Sequence, residues 1–291
     1  MKLFGNYTAL ITPFLSQNKI DYDALDNILN LQIKEKTDGI VLFGSTGEGH
    51  TLTPNEKIKI LKFVKEKLPS NISIIVSILS YSTKDCKKEI STFSKYNPDA
   101  FLISVPPYIK PTQTGILKHF LTLASNSAVP IILYNIPSRT SANIEFETMK
   151  KLSLHPNIIG VKEASTCFSD IVKESNLISP SFQILCGNDN YILPMLSIGA
   201  CGVVSVIGNA MPSFVHTLFE MYSFDPQLVE NLYRKYEPLI NAMSIETNPI
   251  PIKFYMSLLL KVKPIYRMPL CQPCPKHKKQ IREIFNMITQ K

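Results

Sequence analysis

Long apolar runs are missing from this 291-residue chain. None approaches the roughly 18–20 residues that a membrane span requires. The opening Met1-Lys2-Leu3-Phe4-Gly5-Asn6 lacks the continuous apolar stretch and small-residue cleavage site of a secretory signal. The expectation is a cytoplasmic protein without a membrane partner. Cysteine is scarce too, with six residues irregularly placed. Cys86, Cys167, Cys186 and Cys201 stand singly in or beside apolar segments, where small buried thiols are common. Cys271 and Cys274 form a lone Cys-x-x-Cys with His277 nearby, but no second ligand pair follows, and structural zinc usually takes four ligands. His50, His119, His155, His216 and His277 are scattered without metal-site spacing. No metal is expected.

Acidic residues are outnumbered, 23 against 31 lysines and arginines, for a formal charge of +8. Much of the excess lies on helix-like segments at Lys57–Lys67 and Lys276–Lys279. These lack the interleaved aromatics on which bases would stack, so they read as solvated faces, with no nucleic-acid partner. A basic surface attracts small carboxylates modestly. Hydrophobic residues at 45% leave ample material for a core.

What is present is an alternation. Short β-rich apolar runs fall at Tyr7–Ile11, Gly39–Phe43, Ile72–Leu79, Ala100–Val105, Pro130–Tyr134, Ile158–Val161, Phe182–Cys186 and Gly202–Val206. Several are apolar nearly throughout, as strands buried on both faces should be. Amphipathic segments separate them, such as Asp21–Lys36 and the stretch that Thr53-Pro54-x-Glu56 opens with an N-cap and an N1 proline. Strict β/α alternation predicts a parallel sheet. An open doubly wound sheet fits the local pattern, but eight units are the number that closes a (β/α)₈ barrel. Beyond residue 223 the strands stop, and Glu230–Met243, Ile252–Leu260 and Lys276–Thr289 read as three more helices. The expected organisation is a catalytic barrel over 1–223 with a helical appendage over 224–291.

A closed barrel gathers its chemistry at the C-terminal ends of the strands. There the sequence reads Gly44-Ser45-Thr46-Gly47-Glu48-Gly49, Pro106-Pro107-Tyr108, Tyr134-Asn135-Ile136-Pro137-Ser138-Arg139-Thr140, Lys162-Glu163 and Gly187-Asn188-Asp189. Lys162 follows Ile158-Ile159-Gly160-Val161, so a strand delivers an amine to an apolar mouth. Such a lysine suits either a structural pair with Glu163 or Schiff-base chemistry. The second needs a neutral amine. Bringing a lysine from ~10.4 to roughly 7 takes about 4–5 kcal/mol, which desolvation can supply. Tyr134, ending the neighbouring strand, is either a core residue or a phenol placed to move the protons of imine chemistry. Ser45 and Thr46 offer hydroxyls and N–H groups on a glycine-bracketed turn. No Lys-Ser/Thr follows, so a small carboxylate suits that turn better than a nucleotide. Arg139 is either a surface residue or a guanidinium fork for a second carboxylate.

Taken together in order, these segments, with Ile159-Gly160-Val161-Lys162-Glu163-Ala164 and Gly202-Val203-Val204-Ser205, resemble the dihydrodipicolinate synthase family, which also holds N-acetylneuraminate lyase. The resemblance covers essentially the whole chain. It implies a (β/α)₈ lyase with C-terminal helices, no cofactor, and a homotetramer built as a dimer of dimers. It further implies that Lys162 forms a Schiff base with pyruvate, and that Tyr134 shuttles protons through the Thr46 hydroxyl to a Tyr108 reaching in from the partner subunit. Ser45 and Thr46 would hold the pyruvate carboxylate, with Gly187 and Val204 lining the pocket. Arg139 would receive the carboxylate of aspartate semialdehyde. Arg139 also favours the synthases of lysine and diaminopimelate biosynthesis over sugar-acid aldolases, the alternative activity. A non-catalytic ligand-binding barrel is the alternative from another class.

Two positions depart from the family pattern. Ser45 stands where threonine is usual, and Ser141 where glycine is common. Lysine-inhibited relatives carry polar and aromatic ligands at positions here occupied by Pro54, Lys57, Tyr81 and Pro107, so weak or absent lysine feedback is expected.

Overall fold

The computed structural model describes residues 3–289. Eight strands are present: β1 (Gly5–Ala9), β2 (Gly39–Leu42), β3 (Ser73–Ile78), β4 (Ala100–Ser104), β5 (Ile131–Asn135), β6 (Ile158–Glu163), β7 (Gln183–Cys186) and β8 (Gly202–Ser205). They follow one another in sequence order around a closed barrel, with parallel pairing. This selects the barrel over the open sheet. The helices that alternate with the strands are α1 (Tyr22–Lys34), α2 (Pro54–Lys67), α3 (Thr83–Ser94), α4 (Gln113–Ser125), α5 (Pro137–Thr140), α6 (Phe146–Ser153), α7 (Phe168–Glu174), α8 (Ile192–Ser197) and α9 (Pro212–Met221). Then come α10 (Pro226–Ala242), α11 (Ile250–Leu259) and α12 (Pro275–Thr289). No helix among the described residues is long and apolar enough to cross a membrane.

The chain forms two compact units. The first comprises Leu3 and Phe4 with Ser73–Val204. Its strands β4 and β5 are buried at every position. A strand covered by helices on one side and barrel interior on the other has no polar face, which explains the unbroken apolar runs. Burying each Ile or Leu there contributes about 1.5–3 kcal/mol. The register sets Ser104 beside Tyr134, Tyr134 beside Lys162, and Lys162 beside Leu185.

The second unit comprises Gly5–Ile72 and the chain from Ser205 onward. Asn209 ties β1 to the turn after β8, donating to the Ala9 carbonyl at 2.8 Å and accepting from the Ile11 N–H at 3.0 Å. Thr53 and Glu56 form the expected capping box on α2, with Pro54 in the first turn. Lys59, Lys62, Lys65 and Lys67 are exposed on this helix. Helix α10 starts earlier than the apolar periodicity suggests. Asp225 accepts from the Leu228 N–H and Pro226 supplies a preset φ, so the cap nucleates a polar first turn that periodicity overlooks.

The thiols correct one expectation. Cys86 and Cys186 are buried and Cys201 is half-buried, but Cys167, Cys271 and Cys274 are exposed. Cys167 precedes α7 in the loop after β6, where it faces solvent beside an otherwise apolar neighbour, Phe168.

Candidate active site

Strand β6 runs two residues further than its apolar run, so Lys162 and Glu163 are strand residues and their side chains point to opposite faces. Lys162 is buried, with 7% of its surface exposed. Its register partner Tyr134 is equally enclosed, and the Lys162 Nζ stands 4.1 Å from the centre of the Tyr134 ring. The tyrosine therefore meets the amine with its ring face.

Glu163 is engaged elsewhere. Its carboxylate accepts from Asn135 Nδ2 at 2.8 Å and from the Ser165 N–H at 2.6 Å. Glu174 lies beside it, fully enclosed, and burial together with the Glu163 charge pushes the Glu174 carboxyl well above its usual range. Glu174 thus keeps its proton and shares it with Glu163. This network holds the end of β6 from behind, and it answers the sequence alternative in which Lys162 pairs with Glu163.

Gly187 closes the end of β7 against the same strand. Its N–H donates to the Glu163 carbonyl at 2.7 Å. A Cβ at this position would lie 2.6 Å from the Ala164 Cβ and 2.7 Å from the Glu163 carbonyl oxygen, so only glycine allows the approach. Val204 is buried in β8. Cys186, one residue before Gly187, has its thiol pushed up to about 12 by burial, which leaves it an inert neighbour.

Tyr108 and Arg139 are at the rim of this unit. Tyr108 follows β4 with φ at 74° and is 86% exposed. Arg139 is exposed on α5, a single helical turn. Ser141 ends that turn at φ 56°, the left-handed conformation that explains why glycine suits the position.

Ser45 and Thr46 belong to the second unit, on the turn after β2. The Glu48 N–H donates to the Ser45 carbonyl at 3.1 Å, and the Gly49 N–H to the Gly44 carbonyl at 3.1 Å. A Cβ on Gly49 would fall 1.8 Å from the Phe43 carbonyl oxygen. Thr46 is buried, and its hydroxyl accepts from Asn248 Nδ2 at 2.8 Å, leaving its own proton to donate. Below it, Glu48 accepts from Lys253 Nζ at 2.5 Å and from the Arg267 N–H at 3.0 Å. The Lys253 amine also faces the Phe14 ring at 4.3 Å, and burial pulls it down to about 8.

Asn248, Lys253 and Arg267 were not legible as parts of this turn. Asn248 lies 202 residues from Thr46, and no local pattern reports such a contact. Lys253 had a signal. It interrupts Ile250-Pro251-Ile252-Lys253-Phe254-Tyr255, and a lysine inside an apolar helix needs a buried counter-charge.

A closed parallel barrel that buries a strand-borne lysine against a tyrosine ring has the form of a class I lyase, in which an amine of the protein carries the carbonyl substrate. Residues 2–288 match the model of the dihydrodipicolinate synthetase family, and the chain belongs to that family. It is 37% identical to 4-hydroxy-tetrahydrodipicolinate synthase of Protochlamydia amoebophila over 294 residues, covering 100% of this chain and 98% of the relative. Dihydrodipicolinate synthase from Aquifex aeolicus superposes with a TM-score of 0.94 at 34% identity, with 98% of each chain covered. A monomeric dihydrodipicolinate synthase variant superposes equally well, at 0.94 and 28% identity, covering 98% of this chain and 96% of its own.

Proposed function

We propose that the chain condenses pyruvate with L-aspartate 4-semialdehyde to give 4-hydroxy-tetrahydrodipicolinate, a step of lysine and diaminopimelate biosynthesis carried out in the cytoplasm. The observation that carries this reading is the enclosed Lys162 amine over the Tyr134 ring, inside a barrel of the synthase family.

The neutral Lys162 amine attacks the pyruvate ketone and water leaves, giving an imine that loses a proton to become an enamine. The enamine carbon attacks the aldehyde. The amine of the semialdehyde then displaces Lys162 as the ring closes. Ser45 and Thr46 hold the pyruvate carboxylate, and Gly187 and Val204 line its pocket. The match to the synthase family supports this grouping. Tyr134 moves the protons, with the Thr46 hydroxyl as relay, and the donor bond from Asn248 supports that role. Arg139 takes the semialdehyde carboxylate through its guanidinium fork. The protein amine is the electron sink, so the proposed cycle calls on no metal or organic cofactor.

Tyr108 completes the relay from a partner subunit in a homotetramer of two tight dimers. Its 86% exposure, with Ile109 at 56% and Tyr81 at 67%, supports a rim that a second copy covers. Family structures that include a variant described as monomeric fit an oligomeric norm.

Borohydride trapping with pyruvate, followed by peptide mass mapping, tests the reading. A pyruvyl adduct on Lys162 that aspartate semialdehyde depletes is the expected result. An adduct indifferent to the semialdehyde would point to a sugar-acid acceptor instead, and no adduct in folded protein would end the Schiff-base mechanism.

A further inference from the structure

Three metal-ligating side chains meet at the far end of the chain. Glu246 lies in the connection between α10 and α11. Cys274 immediately precedes α12, its carbonyl accepting the Lys278 N–H at 2.9 Å. His277 follows one helical turn later, so positions 274 and 277 share a face. One ligand atom from each of the three lies within 4.8 Å of the others. His277 Nδ1 stands 2.6 Å from Glu246 Oε1, and that oxygen also accepts the Cys274 N–H at 3.0 Å. Cys271 is exposed three residues upstream of Cys274.

We propose that Cys274, His277 and Glu246 form a site for a thiophilic divalent d-block cation of the zinc type, and that Cys271, exposed three residues upstream of Cys274, turns in to complete its tetrahedron. Two thiolates, an imidazole and a carboxylate are ligands such ions accept in fourfold coordination. The Cys-x-x-Cys-x-x-His run lacks only the distant fourth ligand, and the fold supplies it as Glu246. Nitrogen and oxygen ligands of tetrahedral zinc stand ~3.3 Å apart, given bond lengths near ~2.0 Å. The hydrogen bond between His277 and Glu246 therefore opens by roughly 0.7 Å as the cation takes the place of the Nδ1 proton, and the imidazole carries its proton on Nε2 instead. Binding also releases the two thiol protons to solvent.

A carboxylate that merely caps α12 would account for Glu246 and His277, but it gives two exposed thiols at ligand spacing nothing to do. Of the exposed cysteines Cys167, Cys271 and Cys274, two are here. The bound ion clips the α10–α11 connection to the start of α12, two residues before the Asn248 that holds the Thr46 hydroxyl.

The test uses the full chain, reduced, stripped of metal by a chelator and titrated with cobalt(II). Expected are one ion per chain, a thiolate-to-cobalt charge-transfer band and the d–d bands of tetrahedral cobalt, all abolished by competing zinc. Zinc should also slow alkylation of Cys271 and Cys274 by iodoacetamide, a reading that needs no variant. Cys274→Ser and His277→Ala should each weaken binding by more than about tenfold, and Cys271→Ser should about halve the charge-transfer intensity. Circular dichroism and pyruvate trapping on Lys162 report that each variant is folded. Absence of tetrahedral bands in the unsubstituted chain would overturn the site. So would an unchanged spectrum in any of the three variants, or alkylation that zinc does not slow.

Discussion

Tyr134 and Lys162 are register partners on neighbouring strands, and the lysine nitrogen lies 4.1 Å from the centre of the tyrosine ring. Ring and hydroxyl can therefore be separated by substitution. Tyr134→Phe keeps the face that packs on the amine and removes the proton carrier. Turnover should fall about 10²–10⁴-fold, while folded protein is retained. Wild-type kcat in Tyr134→Phe would take the tyrosine out of the proton path.

Arg139 should act on the second substrate alone. Loss of a charge-assisted hydrogen bond costs about 1.5–3 kcal/mol. Arg139→Ala should thus lower kcat/KM for the semialdehyde roughly ten- to hundredfold, and pyruvate trapping on Lys162 should continue unchanged. Lysine lacks the planar fork and should rescue only in part. Equal losses in both half-reactions would contradict the assignment.

The Glu48–Lys253 pair is sealed from solvent, with side-chain exposures of 0% and 1%. Lys253→Met strands the Glu48 carboxylate and should destabilise the protein by about 3–5 kcal/mol, measured by urea unfolding. Removing both charges with Glu48→Gln as well should recover much of that loss. A single substitution as mild as the double one would mean that the pair contributes little.

Acid sensitivity should originate partly at His119. Its Nδ1 lies 2.8 Å from the Thr83 hydroxyl, and burial drives its pKa down from 6.5 to about 4. Between those values the unfolded chain binds a proton that the native one refuses. Stability is therefore full above about 6.5 and falls as pH drops toward 4, by about 3 kcal/mol in all. His119→Gln should flatten that limb in urea midpoints taken at stepped pH. A slope unaltered by the substitution would place the acid sensitivity elsewhere.

Feedback by lysine is expected to be weak or absent, because Pro54, Lys57, Tyr81 and Pro107 do not supply the ligands of regulated relatives. Activity assayed across physiological lysine concentrations should stay level. Inhibition that vanishes on substituting Tyr81 or Lys57 would reverse this.

The order and number of strands were legible because barrel strands are buried on both faces and leave unbroken apolar runs. Their ends were less so. Lys162 and Glu163 read as the residues after a strand, since charge interrupts the run, yet both continue β6. The reason is chemical: the site needs polar groups on well-ordered backbone, and there the apolar rule must fail. Family motifs single out Lys162, Tyr134, Thr46 and Arg139 as candidates, but not what holds them. Asn248 reaches Thr46 across 202 residues, and Glu174 supports Glu163 through a proton that no sequence pattern records.

The partners of Glu48 have a consequence for synthesis. The carboxylate emerges early, whereas Lys253 follows 205 residues behind and the Arg267 N–H 219. At about 5–20 residues per second, the wait is on the order of ten to forty seconds. Throughout it the glycine-bracketed turn has no cation beneath it and its carboxylate stays in water. A polypeptide released before residue 253 would carry the lysine strand complete and the Ser45–Thr46 turn unset, which makes the translation of residues 253 to 267 the step that finishes the turn.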